Sequence, residues 1–295
     1  MTPSVGNISE LWRFPVKSMQ GETLQQVEMT ALGVVGDRGY ALIESDTGKV
    51  ASAKSVRHFP DLLNCRAEFV EPPGASGVAP PVRITLPDGT TVTSGTDRTN
   101  EILSSYFGLA VTLERAAPED FVIDQYHPEV EHVEPAGRLN QVVDQKLGSS
   151  LFAELGMESA VPVGALFDMF PASVMTTSTL DALRELCPDG RIDVRRFRMN
   201  VIVETEDSGF VENNWVGKSV AFGDGARLHV TLPDPRCVMT TLAQDDLPRD
   251  TAILRVMAEH NLLEIVPGVR YPCAGVYAAV VAPGTLRVGD PVSIS

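Results

Sequence analysis

The residue types best suited to chemistry lie together in Asp234-Pro235-Arg236-Cys237-Val238-Met239-Thr240-Thr241, which carries one of the four cysteines of this 295-residue chain. A thiol beside a guanidinium at the end of an apolar strand pattern can be held as a thiolate, and thiolates bind soft metals. The competing reading is a buried small hydrophobe, because unpaired cysteine is among the most buried residue types. The local sequence leaves both open.

Other polar clusters interrupt the apolar pattern. Pro15-Val16-Lys17-Ser18 and Gly36-Asp37-Arg38-Gly39 read either as solvated turns or as groups gathered for a ligand. In Met175-Thr176-Thr177-Ser178-Thr179-Leu180-Asp181 a strand runs into a helix start. Ser178 and Asp181 resemble a capping box, and free N–H groups there suit a phosphate; a plain capped helix is the alternative. Arg195, Arg196, Arg198 and Asn200 follow, either as a solvated charged face or as an anion site. Glu119, Asp120, Asp124, His127, Glu129, Glu131 and His132 are dense enough for a divalent metal but keep no fixed ligand spacing, so a solvated loop is the preferred reading.

Net charge is −15, from 39 acidic and 24 basic residues. Such a chain repels phosphate backbones, which argues against broad nucleic-acid binding and restricts any anion to a local basic pocket. Cys65, Cys187, Cys237 and Cys273 make no CxxC pair, so neither a zinc knuckle nor an iron–sulfur motif is encoded. The start of the chain lacks a basic, apolar leader and no long apolar window follows, which predicts a cytoplasmic protein with no membrane partner.

These groups must be positioned by a β-rich frame. Alternation and turn residues predict short strands near residues 10–15, 27–32, 40–44, 83–86, 91–93, 111–114, 200–204, 219–222, 227–232, 275–281 and 292–294. Helical spacing predicts helices over 99–107, from about 178 to 187, and over 251–260. Residues 116–150 are the least patterned and read as a lid or linker.

Six motifs in order, Pro15-Val-Lys17-Ser18, Gly36-Asp37-Arg38, Met175-Thr-Thr-Ser-Thr-Leu, Phe197-Arg198-Met-Asn200, Arg236-Cys237-Val-Met-Thr-Thr and Gly284-Thr-Leu-Arg-Val-Gly-Asp290-Pro, resemble the MOSC-domain proteins. The chain is similar to the branch that includes the mitochondrial amidoxime-reducing component and its bacterial relatives. The resemblance implies a mainly β fold with some α: an N-terminal β-barrel subdomain (1–115) followed by a MOSC-type β-barrel (116–295), with a molybdenum cofactor, Mo-molybdopterin, in the cleft between them. It places Cys237 as the metal's thiolate ligand. It puts Lys17, Ser18 and Arg38 on the cofactor from the N-terminal side, Thr176 or Thr177 with Arg198 and Asn200 on phosphate and pterin, Pro235 and Arg236 beside the ligand, and Tyr277 along the site.

The activity implied is reduction of N-hydroxylated or N-oxide-type small molecules by oxygen-atom transfer, with electrons from an external donor protein because no cluster motif is present. Two alternatives keep the fold: sulfur transfer or C–S cleavage through Cys237 as persulfide or nucleophile, and a non-enzymatic carrier of the cofactor. Pro235 departs from the pattern, since it removes a donor where these reductases carry a small polar residue.

Overall fold

The computed structural model describes residues 4–75, 78–131 and 137–295. Its largest sheet closes into a seven-stranded barrel. Numbered along the chain, the strands are β1 (Ser4–Arg13), β2 (Ala172–Thr176), β3 (Val201–Glu204), β4 (Ser219–Phe222), β5 (Arg227–Pro235), β6 (Val269–Ala282) and β7 (Pro291–Ile294). Around the barrel they run β2-β3-β1-β7-β4-β5-β6 and back to β2, every neighbour antiparallel except β2 and β3. Closure leaves no open edge along this path. Ile8, Leu11, Val174, Val201, Val203, Val220, Phe222, Leu228, Val230, Val276, Ala278 and Val292 fill the interior, and each Val, Leu, Ile or Phe side chain among them contributes about 1.5–3 kcal/mol when removed from water.

A second core lies in the N-terminal part. Val16, Tyr40, Leu42, Phe59, Leu62, Val82, Ile84, Val92, Leu103 and Val111 pack together there, between short sheets at Ala41–Glu44 with Val111–Glu114, and at Arg66–Phe69, Val82–Thr85 and Thr91–Thr93. Helix α1 (Thr99–Phe107) ends at Gly108, whose φ of +66° makes a left-handed cap. β1 lies at the N-terminal end of the sequence yet belongs to the barrel, where it pairs with β3 and β7.

Residues 116–150 are ordered in their described part. Val122–His127 pairs with Gln141–Lys146 as a hairpin, followed by helix α2 (Gly148–Glu154). Polar side chains in Val-Ile-Asp-Gln-Tyr-His break the period-2 pattern, which hid this strand from sequence reasoning. Helices α3 (Thr177–Leu186) and α4 (Ala252–His260) pack over a third core on the outer face of the barrel.

Two expectations at the start of α3 need correction. The N-cap is Thr176, whose Oγ1 accepts from the Thr179 N–H at 3.2 Å, while Asp181 is exposed and pairs with Arg184, so Ser178 and Asp181 do not form a capping box. Nor is the helix start open to a phosphate. The Glu212 carboxylate lies there, fully buried, accepting from the Thr176 and Thr179 hydroxyls at 2.7 Å each and from the Gly275 N–H at 3.1 Å. An anion supplied by the chain meets the donors and the positive end of the helix.

Candidate active site

Prolines deliver Cys237 to its place. Pro233 and Pro235 cannot donate to the β5–β6 ladder, and the register shifts between them. The strand ends at Pro235, opposite Cys273, and Cys237 caps the short helical turn Val238–Thr241 that follows. The thiol is half-buried, whereas Cys65, Cys187 and Cys273 are buried. Burial pushes the thiols of Cys65 and Cys273 up to about 12.

Cys237 lies on a cleft of about 330 Å³. Among the described residues its lining carries six cations, Lys17, Arg38, Lys54, Arg196, Arg198 and Arg236, against two carboxylates, Asp168 and Asp234. In a chain of net charge −15 this local cation excess requires a physical reason, and an anionic ligand supplies one.

Lys17 and Lys54 converge on Asp168. Lys17 Nζ pairs with one carboxylate oxygen and donates to Leu166 O at 3.1 Å, and Lys54 Nζ lies 2.7 Å from the other oxygen. Burial pushes the Lys17 ammonium down to about 8, against the pull of Asp168. Burial also opposes charge on Lys54, but Asp168, then Cys237, outweigh it and raise its pKa. The same two ammonium groups hold the Asp168 carboxyl well below the usual range despite its desolvation.

Asp37 organises the opposite side. Its Oδ1 accepts from the Phe14 N–H at 2.8 Å, and its Oδ2 pairs with Arg38 and accepts from Asn200 Nδ2 at 2.8 Å. Asn200 Oδ1 in turn accepts from Ser173, backbone and hydroxyl, at 3.2 Å. Arg38 and Arg198 both lie over the Phe14 ring, at 4.5 and 4.3 Å from its centroid. Arg198 donates to Met19 O at 2.6 Å. Burial, then repulsion from Arg38, lowers its guanidinium pKa to about 9. Ser18, Arg38 and Arg198 all adopt positive φ, at 64°, 49° and 57°.

Arg236 is committed to the frame. Nε donates to Ala274 O and Nη1 to Phe197 O, each at 2.8 Å, and Nη2 pairs with Asp234 at 2.8 Å. Burial pushes the Asp234 carboxyl up to about 6 despite Arg236, and the Tyr277 hydroxyl also donates to it. The Tyr277 ring stacks on Phe170 with centroids 5.7 Å apart. Nearby Gly275 has φ +77°, and a Cβ there would come within 2.6 Å of Met199 Cε.

The structure therefore brings Lys17, Ser18, Arg38, Arg198, Asn200, Pro235, Arg236, Cys237 and Tyr277 to one cleft. Thr176 and Thr177 do not line it: Thr176 bonds to Glu212, and Thr177 Oγ1 accepts from the Thr205 N–H. The arginine run divides, with Arg195 on exposed Asp246 and Arg196 donating to the carbonyls of Arg191, Thr240, Leu242 and Pro248. Among the described residues, a cluster of possible metal-ligating groups joins Asp124 to Glu44 and His58 rather than to its own segment, and His132 lies outside the described residues. Lys54 and Asp168 were missed, and Asp234, part of the opening stretch, was given no role of its own. The repeated Lys-Ser pair at 17–18 and 54–55, and a lone acid inside Leu-Phe-Asp-Met-Phe, were the available signals.

The MOSC domain family model matches residues 163–293, and the MOSC N-terminal beta barrel domain model matches residues 5–107. Mitochondrial amidoxime reducing component 2 of Bos taurus is 24% identical over 98% of this chain and 83% of its own length. Mitochondrial amidoxime-reducing component 1 of Mus musculus is 26% identical over 98% of this chain and 82% of its own. Among solved structures, the YuaD protein from Bacillus subtilis aligns over 98% of this chain and 94% of its own at 11% identity, with a TM-score of 0.43. Among the described residues, no helix is long and apolar enough to cross a membrane. With the two family models matching along the chain and a closed seven-stranded barrel whose first strand lies in the N-terminal match, the chain belongs to the MOSC-domain proteins.

Proposed function

We propose that this protein is an oxidoreductase that holds a molybdenum cofactor against Cys237 and reduces small molecules bearing an N–O bond. The observation that carries the reading is the six-cation cleft around the one cysteine that is not buried. The donor set fits such a group. Cys237 would offer a thiolate to a soft metal; Lys17, Lys54, Arg38 and Arg198 would neutralise a phosphate; Ser18 would offer a polar contact to a pterin, with Ser173 and Asn200, bonded to each other and to Asp37, holding that side of the cleft. When bound, the cofactor supplies the two-electron and oxygen-accepting chemistry.

The remaining work falls to the chain. In the overall reaction the N–O bond breaks, oxygen leaves as water, and two protons and two electrons are consumed. The electrons come from an external donor protein, and the names of the relatives, amidoxime reducing components, support this class of substrate. Asp234 is the acid best suited to hold a proton near the thiol, because burial keeps its carboxyl protonated up to about pH 6. Arg236 and Tyr277 fix the direction of that carboxyl.

The test is elemental analysis for molybdenum, with fluorimetry of the oxidised pterin, on protein made in a host that synthesises the cofactor. Near-stoichiometric molybdenum that is lost in Cys237→Ser is the expected result. Protein free of both metal and pterin from such a host overturns the proposal. A labile sulfur adduct on Cys237 without pterin would favour sulfur transfer, and bound cofactor with no turnover of any N–O compound would favour a carrier.

A further inference from the structure

β5 ends at Pro235, and Cys237 caps the turn Val238–Thr241 beyond it, so the direction of the thiol depends on what holds that turn. Thr240 grips Cys237 O twice, through its N–H at 3.2 Å and its hydroxyl at 3.1 Å. Thr240 O in turn accepts from Arg196 Nη1 at 3.2 Å, and Leu242 O accepts from the same nitrogen at 3.0 Å. Arg196 Nη2 donates to Pro248 O and Nε to Arg191 O, each at 2.8 Å. On the other side of the thiol, Arg236 Nη1 donates to the carbonyl of Phe197, the residue next to Arg196. Two consecutive residues thus tie down the chain on both flanks of Cys237.

We infer that Arg196 is a positioning residue for Cys237: through Thr240 it fixes the turn that presents the thiol to the cleft. This rests on the function proposed above, in which that thiol holds the metal. Arg196 is 1% exposed, and all four of its hydrogen bonds go to backbone carbonyls. A cation buried without a bonded carboxylate is costly, and an apolar side chain of similar volume would serve packing alone at least as well. What the guanidinium adds is a rigid fork of donors that spans four carbonyls at once. A lysine, with three donors on one nitrogen, cannot hold Arg191, Thr240, Leu242 and Pro248 together.

The test compares Arg196→Lys and Arg196→Gln with the parent, each prepared with the cofactor and without it. In cofactor-free protein, iodoacetamide alkylation at one fixed pH is followed by peptide mass mapping. Expected is alkylation of Cys237 at least about threefold faster in both variants, because release of the turn uncovers a half-buried thiol, while Cys65, buried in the N-terminal core, stays protected. In loaded protein with benzamidoxime as substrate, kcat should fall about tenfold or more while KM stays near the parent's, and the electron paramagnetic resonance g values of the half-reduced metal should move. Methylguanidinium supplied to Arg196→Ala should restore part of the kcat and the parental g values. Parental alkylation and g values in a folded Arg196 variant overturn the inference, as does exposure of Cys65 in step with Cys237, which marks a general loosening. Should no Arg196 variant fold, Thr240→Val, which keeps the volume and removes the hydroxyl on Cys237 O, is measured in the same way, and parental values there overturn the inference. Protein that holds no molybdenum or reduces no N–O compound overturns the reductase reading instead, and the alkylation of Cys237 still reports on Arg196.

Discussion

Ser18, Arg38 and Arg198 are three of the five non-glycine residues that adopt positive φ among those described, and all three line the cleft. Each such conformation costs on the order of 1–3 kcal/mol, so the surroundings must hold them: Asp37 for Arg38, and Met19 O with the Phe14 ring for Arg198. A desolvated guanidinium in strained backbone opposes stability and favours an anion. Arg198→Gln is therefore expected to keep or raise the melting temperature of the cofactor-free protein while cutting pterin retention about tenfold or more, measured by thermal melts and by pterin fluorescence after gel filtration. Lys17 yields a pH prediction. Burial lowers its pKa to about 8, so its charge is present below that pH and lost above it, and cofactor retention should weaken as pH rises from 7 to 9. In Lys17→Met that dependence should flatten. At this scale the sequence was readable where motifs are contiguous, as at Lys17-Ser18, Gly36-Asp37-Arg38 and Arg236-Cys237. It was silent on Asp168, whose meaning comes only from the two ammonium groups that fold back onto it.

Helix α3 shows how an element can be anticipated correctly and its chemistry misjudged. The apolar spacing of Leu180 and Leu183 was visible, and both are buried. The partner of the helix start was not, because Glu212 arrives from 33 residues beyond Thr179. Burial raises the Glu212 pKa although hydrogen bonds from the Thr176 and Thr179 hydroxyls and from backbone N–H groups oppose that shift, so the carboxylate is retained for its bonds. Glu212→Ala leaves the two threonine hydroxyls and the Gly275 N–H without an acceptor, and at about 1–3 kcal/mol for each buried unsatisfied group it should lower stability by several kcal/mol, read from denaturant unfolding. Glu212→Gln keeps an acceptor and should cost markedly less. The hairpin Val122–His127/Gln141–Lys146 escaped detection for the opposite reason: its cleft-facing Gln125, Tyr126 and His127 replace the apolar alternation on which strand recognition depends.

Across the whole molecule, Asp168 joins regions that the sequence keeps far apart, since Lys17 and Lys54 belong to the N-terminal part and Asp168 lies in the chain leading to β2. Its carboxyl pKa is depressed in the folded state, so its contribution is present above the ordinary value of 3.8 and is lost as pH falls below it. Asp168→Asn should therefore lower the melting temperature at pH 7 and reduce the loss of stability that the parent protein shows between pH 5 and pH 3. A β-rich frame was evident from strand and turn signals alone, but strand order was not, because pairing in the barrel is set by contacts such as Asn7 with Glu204 and Ser4 with Ser293. That last pairing has a consequence for how the molecule is made. β1 must wait for β7, the last strand of the barrel, before its second edge is covered, so barrel closure carries a high contact order. Linking residues 4 and 293 through a short loop and opening the chain at exposed Gly89 should give a circular permutant that folds with the barrel strands adjacent in time as well as in space.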